Sequence, residues 1–529
     1  MTMKKLLLTT TAIALIGGSA SAADLAPRPY VKAPAPAAVA SWTGFYVFGG
    51  GGSGLWSADS NLVSDGTIGF FGPPGAPFTR DQRLGGRGWF GTVGAGYDFQ
   101  FANRWVAGVF ADGQFGDISG SMSDSFFGME GREKLRTSYA AGARLGYLVA
   151  PNVLSYVNAG YTGSEWSGAS LSTLSAFPGT STAALATTSS FRRNGFFVGG
   201  GVENNLSLFG ISAPGWFMKT EYRSAFYDRT TLAETCTAAG EAATVCGPAG
   251  SSLGTAITFK PWVQTISTSL VYRFNDKGMP ATADASPRLY TKSPAPAAGP
   301  SWTGVYVFGG AGDGLWSAES NVETNAILGG PITPFTRDQR QGGSGWFGTV
   351  GLGYDWQFSS NWVAGAFADG QFGDIHGSLN ETFMANSEGT EKLRTSYAAG
   401  LRLGYLAAPN VLSYVNAGYT GSEWSGNTLS SLRLPGVAFY TTPSFHRDGW
   451  FVGGGVENSL DIFGIAAPGW FMKTEYRSAY YDRASLPMTL TPAFGGTPTG
   501  LSVTFKPWVQ TVSTSLVYRF NAGPVVAKY

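Results

Sequence analysis

The sequence predicts an all-β protein made of two tandem eight-stranded antiparallel β-barrels that span a membrane. Three observations predict it: one segment is present in two near copies, each copy contains alternating segments of strand length, and the composition does not suit a water-exposed surface. Charged residues make up 13% of the chain, about half of the usual share. Aromatic residues make up 14%, and Gly contributes 76 of the 529 residues. The outward faces of the strands are therefore expected to contact lipid.

The first 22 residues have the pattern of a secretory signal peptide. Lys4 and Lys5 precede an apolar stretch over 6–16, and Ala20, Ser21 and Ala22 supply small residues at the cleavage site. The stretch is too short to span a bilayer as a helix, and no later segment has the roughly 18 apolar residues required. Export without a helical anchor predicts the bacterial outer membrane, where closed barrels satisfy every backbone polar group without water.

The two copies differ in length at only four places. The offset between equivalent residues is 260 at Trp56 and Trp316 but 246 at Phe259 and Phe505. Surface loops tolerate insertions, so the four variable links are predicted to be extracellular loops. In the first copy they lie near 58–79, 119–132, 167–190 and 230–257. The connections of fixed length are predicted periplasmic turns.

Eight strands are predicted in the first copy, at 43–57, 86–100, 104–117, 133–149, 153–166, 191–205, 215–229 and 258–274. Each can supply the 9–11 residues that a tilted strand needs to cross hydrocarbon. The predicted organisation is a signal peptide (1–22), a Pro/Ala-rich periplasmic lead (23–41), a first barrel (42–274), a Pro/Ala-rich linker (275–300), a second barrel (301–520) and a C-terminal tail (521–529).

One merged sixteen-stranded barrel with a channel is the alternative to two separate barrels. The long linker, which repeats the composition of the free lead, favours two barrels that each close on themselves. The strand partner of 43–57 distinguishes these topologies. Pairing with 258–274 gives two barrels, whereas pairing with 503–520 gives one.

Alternation along the strands predicts a charged barrel interior. In the seventh strand Lys219, Glu221 and Arg223 share one face. An Arg that faces lipid at mid-depth costs about 2–4 kcal/mol, so this face is predicted to line the lumen. Eight strands enclose a space that side chains can fill, so matched charges are predicted to plug it as ion pairs. The alternative is a selective polar path for ions. The predicted network comprises Asp98, Asp112, Arg136, Arg144, Glu203, Lys219, Glu221 and Arg223, with Asp355, Asp369, Arg394, Arg402, Glu457, Lys473, Glu475 and Arg477 in the second copy.

The sequence gives little support to catalysis or cofactor binding. The two His residues, His376 and His446, fall in or beside predicted loops. A His-dependent triad or metal site needs more ligands than these, so no enzyme activity, cofactor or metal is predicted. The net charge is +1, and without a basic stripe no nucleic-acid partner is predicted. Cys236 and Cys246 share one predicted loop of an exported protein and are predicted to form a disulfide.

Both ends of each copy carry a recognisable motif. The first copy opens with Trp-Thr-Gly-Phe-Tyr-Val at 42–47, and both copies close with an apolar-x-aromatic-x-Phe pattern. With these motifs the chain resembles the family of eight-stranded outer-membrane β-barrels that includes opacity-like surface antigens and small porin-family proteins. The resemblance implies outer-membrane lipid and the barrel-insertion machinery as partners. It also implies an insertion signal at Leu270, Tyr272, Phe274, Leu516, Tyr518 and Phe520.

This chain departs from that family in two ways, because such proteins usually hold one barrel and end at the aromatic residue. Here there are two units, and a tail ends at Tyr529, so the insertion signal could be Phe520 or Tyr529. Family members are variously structural, adhesive, ligand-binding or weakly pore-forming. The expected role is structural or surface-interacting, with a plugged lumen and variable loops outside the cell. The alternatives are a porin-like channel for small polar solutes and a surface adhesin or haem- or ligand-binding barrel.

The predicted mature N-terminus suggests one further partner. Ala23 and Asp24 begin a Pro/Ala-rich lead, and some barrels of the kind this chain resembles have flexible N-termini that reach the peptidoglycan. The lead is therefore a candidate peptidoglycan tether. The alternative is a disordered leader without a partner.

Overall fold

A computed structural model of the chain describes residues 42–520, apart from 103, 178–179, 207–210, 212, 275–300, 385, 435, 461–464 and 466. The predicted signal peptide, lead, linker and C-terminal tail lie outside the described residues, and so does the predicted peptidoglycan tether. In the described part of the chain, no helix has the length and apolar character needed to cross a bilayer.

In its described residues, the first half contains eight long antiparallel strands and four short ones. One short helix, α1 (Ala238–Ala242), and a 3-10 turn at Gly69–Phe71 lie between them. The strands are β1 (Gly44–Ser60), β2 (Leu62–Ser64), β3 (Gln82–Phe101), β4 (Trp105–Asp124), β5 (Met129–Ala150), β6 (Val153–Trp166), β7 (Ser170–Thr173), β8 (Ala186–Thr188), β9 (Phe191–Asn205), β10 (Trp216–Tyr227), β11 (Thr230–Cys236) and β12 (Ser252–Arg273).

The second half repeats this order. Its short 3-10 turns are Ala326–Leu328 and Pro492–Phe494. The strands are β13 (Gly304–Ser320), β14 (Val322–Thr324), β15 (Gln339–Gln357), β16 (Trp362–Glu381), β17 (Ser387–Ala408), β18 (Val411–Trp424), β19 (Asn427–Ser431), β20 (Ala438–Thr442), β21 (Phe445–Ser459), β22 (Trp470–Tyr481), β23 (Ala484–Leu490) and β24 (Pro498–Arg519).

The long strands of each half pair in a closed ring. In the first half the order is β1-β3-β4-β5-β6-β9-β10-β12, and β12 pairs back with β1. Tyr46 lies opposite Arg273 in this closing ladder. In the second half β13 pairs with both β15 and β24. The partner of β1 is therefore β12, which is the pairing that the sequence analysis assigns to two barrels, and each ring satisfies its own backbone hydrogen bonds.

The outward faces of the barrels are apolar. Trp89 is 71% exposed and Val157 65%, and neighbouring strands present further apolar side chains outward. A soluble monomer rarely exposes so much contiguous apolar surface. It is the lipid-facing band of a transmembrane barrel. In the first half this band includes Phe45, Val47, Val93, Val109, Leu145, Val198 and Leu270.

The four links predicted to be loops are partly strand, and this corrects the prediction. β4 continues to Asp124, β5 begins at Met129 and β12 begins at Ser252. β11 pairs with β8 and β12, and β7 pairs with β5 and β8, so the links form a small sheet. Length variation shows where insertions are tolerated but not whether the inserted residues pair. We call this end of the barrel the cap end and the opposite end the turn end. Buried residues of the first cap include Leu62, Met122, Met129, Leu171, Leu232 and Ile257.

The two halves contact each other through equivalent residues. The guanidinium of Arg83 donates to the carbonyl of His376 at 2.8 Å. Its counterpart Arg340 donates to the carbonyl of Ser119, the counterpart of His376, also at 2.8 Å. Such reciprocity is that of a two-fold, isologous interface. Four backbone N–H groups repeat it: Arg83 to Ser378, Arg340 to Ser121, Arg80 to Leu432 and Arg337 to Leu174.

Two glycines allow the backbones of the two halves to meet. Leu84 of β3 pairs with its own counterpart, Gln341 of β15. A Cβ atom on Gly85 would lie 2.3 Å from the carbonyl oxygen of Gln341, and one on Gly342 would lie 2.6 Å from that of Leu84. Apolar clusters complete the interface, with Val149, Ala150 and Val153 packed on Val411, and Leu55 and Leu315 packed with Trp508.

We predict that the two halves stay associated without their linker. A protease site inserted at 275–300 of the full chain would allow cleavage after folding in detergent. The cleaved halves are expected to elute together in size-exclusion chromatography. With Gly85→Ala and Gly342→Ala they are expected to separate, because each added methyl meets backbone of the opposite half.

Gly330→Ala provides the control, because a Cβ there meets nothing within 4 Å. This variant should keep the cleaved halves together. Separation of the unsubstituted halves on cleavage would show that the interface does not hold them.

Candidate functional site

A buried ion-pair cluster occupies the lumen near the turn end of the first barrel. Arg144 Nε donates to Asp98 Oδ1 at 2.9 Å, and its Nη1 donates to Glu203 Oε2 at 3.1 Å. Arg273 bridges the same two carboxylates, with Nη2 2.8 Å from Asp98 Oδ2 and Nε 2.9 Å from Glu203 Oε1. Two guanidinium groups and two carboxylates therefore neutralise one another. The Arg144 guanidinium also lies over the Tyr46 ring, 4.4 Å from its centroid.

A second cluster fills the lumen further toward the cap. Arg223 makes a bidentate pair with Asp112 at 2.9 and 2.6 Å, and its Nη2 also donates to Glu221 at 2.9 Å. The Glu221 carboxylate accepts from Tyr156 Oη at 2.8 Å, and Lys219 Nζ lies 3.5 Å from it. Bidentate geometry and shared partners are what a buried ion pair needs to offset the loss of water.

The second barrel repeats both clusters with nearly identical distances. Arg402 Nε donates to Asp355 at 2.9 Å, and Arg519 Nε donates to Glu457 at 2.8 Å. Arg477 pairs with Asp369 at 2.8 and 2.6 Å. Lys473 and Glu475 complete the set at 3.5 Å. Among the described residues, the two clusters thus bring four acids and four bases together in each lumen.

Two predicted members of the network do not face the lumen. Arg136 and Arg394 are exposed on the outside of their barrels. The registers of β5 with β6 and of β17 with β18 shift at these residues, between Leu135 and Thr137 in the first barrel. A β-bulge inserts one residue and reverses the alternation beyond it. The prediction assumes strict alternation through the bulge and therefore places both arginines on the wrong face.

The missing bases are Arg273 and Arg519, which the sequence analysis did not assign to the lumen. Both arginines are buried, whereas the residues that alternate with them in the closing motif face outward. In the first barrel these outward-facing residues are Leu270, Tyr272 and Phe274. The signal was present, because an Arg that alternates with apolar and aromatic residues on a lipid-facing strand must face the interior.

An aromatic layer covers the charged clusters at the cap end. The rings of Trp56, Trp166 and Phe259 contact each other with centroids 5.2 to 5.7 Å apart. The indole N–H groups are satisfied, since Trp56 donates to the carbonyl of Ile118 at 3.2 Å and Trp166 to Ser164 Oγ at 3.0 Å. The corresponding residues of the second barrel are Trp316, Trp424 and Phe505. Above the ion pairs, the lumen is therefore filled by apolar rings.

The caps contain buried carboxyl groups and the disulfide. Cys236 and Cys246 are bonded to each other in the first cap. Glu391 lies in the second cap, on β17 six residues before the outward-facing Tyr397. Burial raises the pKa of this carboxyl group to about 9. Burial raises the pKa of its counterpart Glu133 to about 7. Among the described residues, no group of three or more His, Cys, Asp or Glu side chains is arranged to hold a metal ion.

Comparisons with known proteins agree with this architecture. Residues 291–524 match the family model "Outer membrane protein beta-barrel domain". The 31 kDa outer-membrane immunogenic protein of Brucella melitensis is 28% identical over 232 residues, which are 42% of this chain and 85% of that protein. The second half of the chain therefore matches an outer-membrane β-barrel domain, and the first half repeats its strand order. The location of the protein is the bacterial outer membrane, as the sequence predicted.

Two solved structures are similar over different extents of the chain. A FadL homologue of Pseudomonas aeruginosa is 11% identical, with 90% of each chain covered and a TM-score of 0.25. Neisserial surface protein A is 12% identical, covering 41% of this chain and 98% of that one, with a TM-score of 0.20. The closed antiparallel ladders of the structure confirm the predicted all-β barrel class.

We predict that replacing the buried Arg273 destabilises the barrel, whereas replacing the outward-facing Arg136 does not. Arg273→Leu leaves Asp98 and Glu203 short of a partner, and loss of one member of a buried pair costs about 3–5 kcal/mol. Arg136→Leu changes an outward-facing residue and should alter the free energy of unfolding by about 0.5 kcal/mol or less. Urea unfolding in detergent, followed by tryptophan fluorescence, measures both. Equal effects of the two substitutions would contradict the assignment.

The buried carboxyl of Glu391 predicts a pH dependence of cap stability. The pKa rises on folding from 4.5 to about 9, so the folded cap holds a proton that the unfolded chain releases. The contribution of this proton to the free energy of unfolding is therefore fully present below pH 4.5 and is lost as pH rises toward 9. Relative to Glu391→Gln, the wild type should lose at most about 1.4 kcal/mol per pH unit over this window. Urea unfolding at pH 5, 7 and 9 measures the difference. As a control, Glu423→Gln removes an exposed carboxylate and should leave the pH dependence of the free energy of unfolding as in the wild type. The same pH dependence for wild type and Glu391→Gln would contradict the prediction.

Proposed function

We propose that the protein is a sealed pair of outer-membrane barrels with a structural and surface-interaction role. The lumens carry no solute, and the caps face the outside of the cell. The observation that carries the proposal is the balanced set of four acids and four bases buried in each lumen, where every cation lies within 3.5 Å of a carboxylate. An ion that entered would have to break these pairs.

The orientation of the caps rests on the lengths of the connections. Outer-membrane barrels have short periplasmic turns and longer extracellular loops. In the first half only Pro151 and Asn152 separate β5 from β6 at the turn end, whereas 24 residues, 167–190, separate β6 from β9 at the cap end. This asymmetry supports extracellular caps.

The surface-interaction role rests on apolar side chains at the tips of the caps. Phe70 is 84% exposed, Ile332 65% and Met384 61%. The cap end lies beyond the lipid band, so lipid does not account for this exposure. These apolar side chains lie outside the lipid band and are available to a protein partner at the cell surface.

The proposed partners during assembly are outer-membrane lipid and the barrel-insertion machinery. Leu270, Tyr272 and Phe274 point outward at the end of β12, and Leu516 and Phe520 do so at the end of β24. An outward aromatic edge at the last strand is accessible to an insertion factor while the barrel is still open. Tyr529 lies outside the described residues.

Electrical recording from planar bilayers tests the sealed lumen. Purified full-length protein should show no stable conductance steps, because ion pairs and the aromatic layer fill each barrel. The matched variant Asp98→Ala with Asp355→Ala removes one carboxylate from each turn-end cluster. It should also show no stable conductance steps, because the aromatic layer stays closed. Large, stable steps from the wild type would overturn the proposal and favour the porin-like channel for small polar solutes.

A further inference from the structure

We propose that the outer wall of the first barrel holds one phosphorylated lipid of the outer leaflet. An apolar groove would take an acyl chain, and a cluster of cations above it would take the phosphate. The proposal rests on the extracellular orientation of the caps proposed above but not on the sealed lumen.

The groove lies on the outward face of β1, β3 and β4. It has a volume of about 500 Å³ and is lined by Gly51, Gly52, Trp89, Phe90, Gly91 and Phe115. Two of its glycines leave the strand surface flat between two large rings, since Trp89 is 71% and Phe115 56% exposed. A shallow apolar groove at the lipid face fits a hydrocarbon chain.

The cations lie directly beyond this groove toward the cap. Trp89 is opposite Asp117 in the ladder of β3 and β4. Both oxygens of the Asp117 carboxylate lie 3.1 Å from Arg132 Nη2, and one lies 3.6 Å from Lys134 Nζ. The side chains remain solvent-accessible, with 67% of Arg132 and 35% of Lys134 exposed. Two cations share one carboxylate, which leaves excess positive charge at the rim.

The β-bulge adds a third cation to this rim. Without the bulge between Leu135 and Thr137, Arg136 would face the lumen. With it, Arg136 is exposed on the same outer surface as Arg132 and Lys134. Bulges that re-aim a side chain are over-represented at the rims of barrels and next to functional sites. Two strands further along the barrel, Arg192 is ion-paired with Glu165 and is 78% exposed.

The second barrel shows that this arrangement is not a requirement of the fold. The first rim has four cations and two carboxylates, namely Arg132, Lys134, Arg136, Arg192, Asp117 and Glu165. The corresponding residues of the second rim are Thr390, Lys392, Arg394, His446, Asp374 and Glu423, and Asp448 is added beside His446. The formal charge is therefore +2 on the first rim and −1 on the second, with His neutral. In the groove, Ala311 replaces Gly51 and adds a methyl group.

Charge and position together favour a phosphorylated lipid over other occupants. Guanidinium and ammonium groups bind phosphate through charge-assisted hydrogen bonds. Basic clusters next to the hydrocarbon region recognise anionic lipid headgroups. A free phosphate would use the rim but not the groove, whereas an uncharged lipid would use the groove but not the rim.

Native mass spectrometry of the full-length protein in detergent tests the proposal with diphosphoryl lipid A as the probe. The wild type should retain one lipid A per chain, at least tenfold more tightly than a dephosphorylated lipid A. Arg132→Gln, Lys134→Gln and Arg136→Gln combined should weaken retention tenfold or more. Gly51→Ala should weaken it less, because it narrows the groove without removing charge.

The matched control is Lys392→Gln with Arg394→Gln on the second rim, which should change retention less than twofold. Folding of every variant is checked by the shift of unheated protein on a denaturing gel. Equal retention of phosphorylated and dephosphorylated lipid, or retention unaffected by the triple substitution in folded protein, would overturn the proposal. Inorganic phosphate that displaces no lipid supports the combined site, whereas full displacement by phosphate overturns it.

Whole-cell labelling keeps this outcome separate from the proposed orientation. Phe70→Cys places a thiol on the first cap, and a membrane-impermeant maleimide should label it in intact cells. Absence of labelling in folded protein would overturn the extracellular orientation, and with it the outer-leaflet source of the lipid, whatever the binding result in detergent.

Discussion

Each barrel depends on the pairing of charges that water cannot reach. A carboxylate or guanidinium buried alone costs several kcal/mol, so every member of the lumen set needs its partners in place. The set also joins distant parts of the ring: Asp98 on β3, Arg144 on β5, Glu203 on β9 and Arg273 on β12 meet in one cluster. Backbone ladders connect each strand only to its neighbours. The ion pairs connect strands across the lumen, and they do so with fixed geometry because the arginines are bidentate or bridging.

The two halves are alike where charge must be matched and differ where it need not be. The lumen clusters of the second barrel repeat those of the first to within about 0.1 Å in the corresponding distances. The outer surfaces differ at several equivalent positions, such as Gly51 and Ala311 or Arg132 and Thr390. A substitution in the lumen leaves a buried charge unpaired, whereas a substitution on the outer wall changes only contacts with lipid or with the other half. The difference in physical cost explains why the interiors match and the exteriors do not.

Alternation predicted most of the fold and of the charged lumen, and it failed where the strand geometry is irregular. Lys219, Glu221 and Arg223 face inward as predicted, because β10 is regular along its length. Arg136 faces outward because a bulge shifts the parity of β5, and nothing in a single sequence marks a bulge of this kind. Arg273 could have been found, since its neighbours on both sides are apolar or aromatic. The cap sheet could not, because length variation between copies does not report hydrogen bonding.

A lumen filled by side chains leaves the outer surfaces to carry the contacts of the protein with other molecules. The interface between the halves already uses one of these surfaces, and it includes polar contacts near the membrane: Gln264 Nε2 donates to Asp313 Oδ2 at 2.6 Å. The equivalent of Asp313 in the first half is Ser53. Asp313 lies on the outward side of β13, where a carboxylate facing lipid would be costly. Its presence there requires the first barrel beside it, so the second barrel is suited to pairing and not to standing alone in the bilayer.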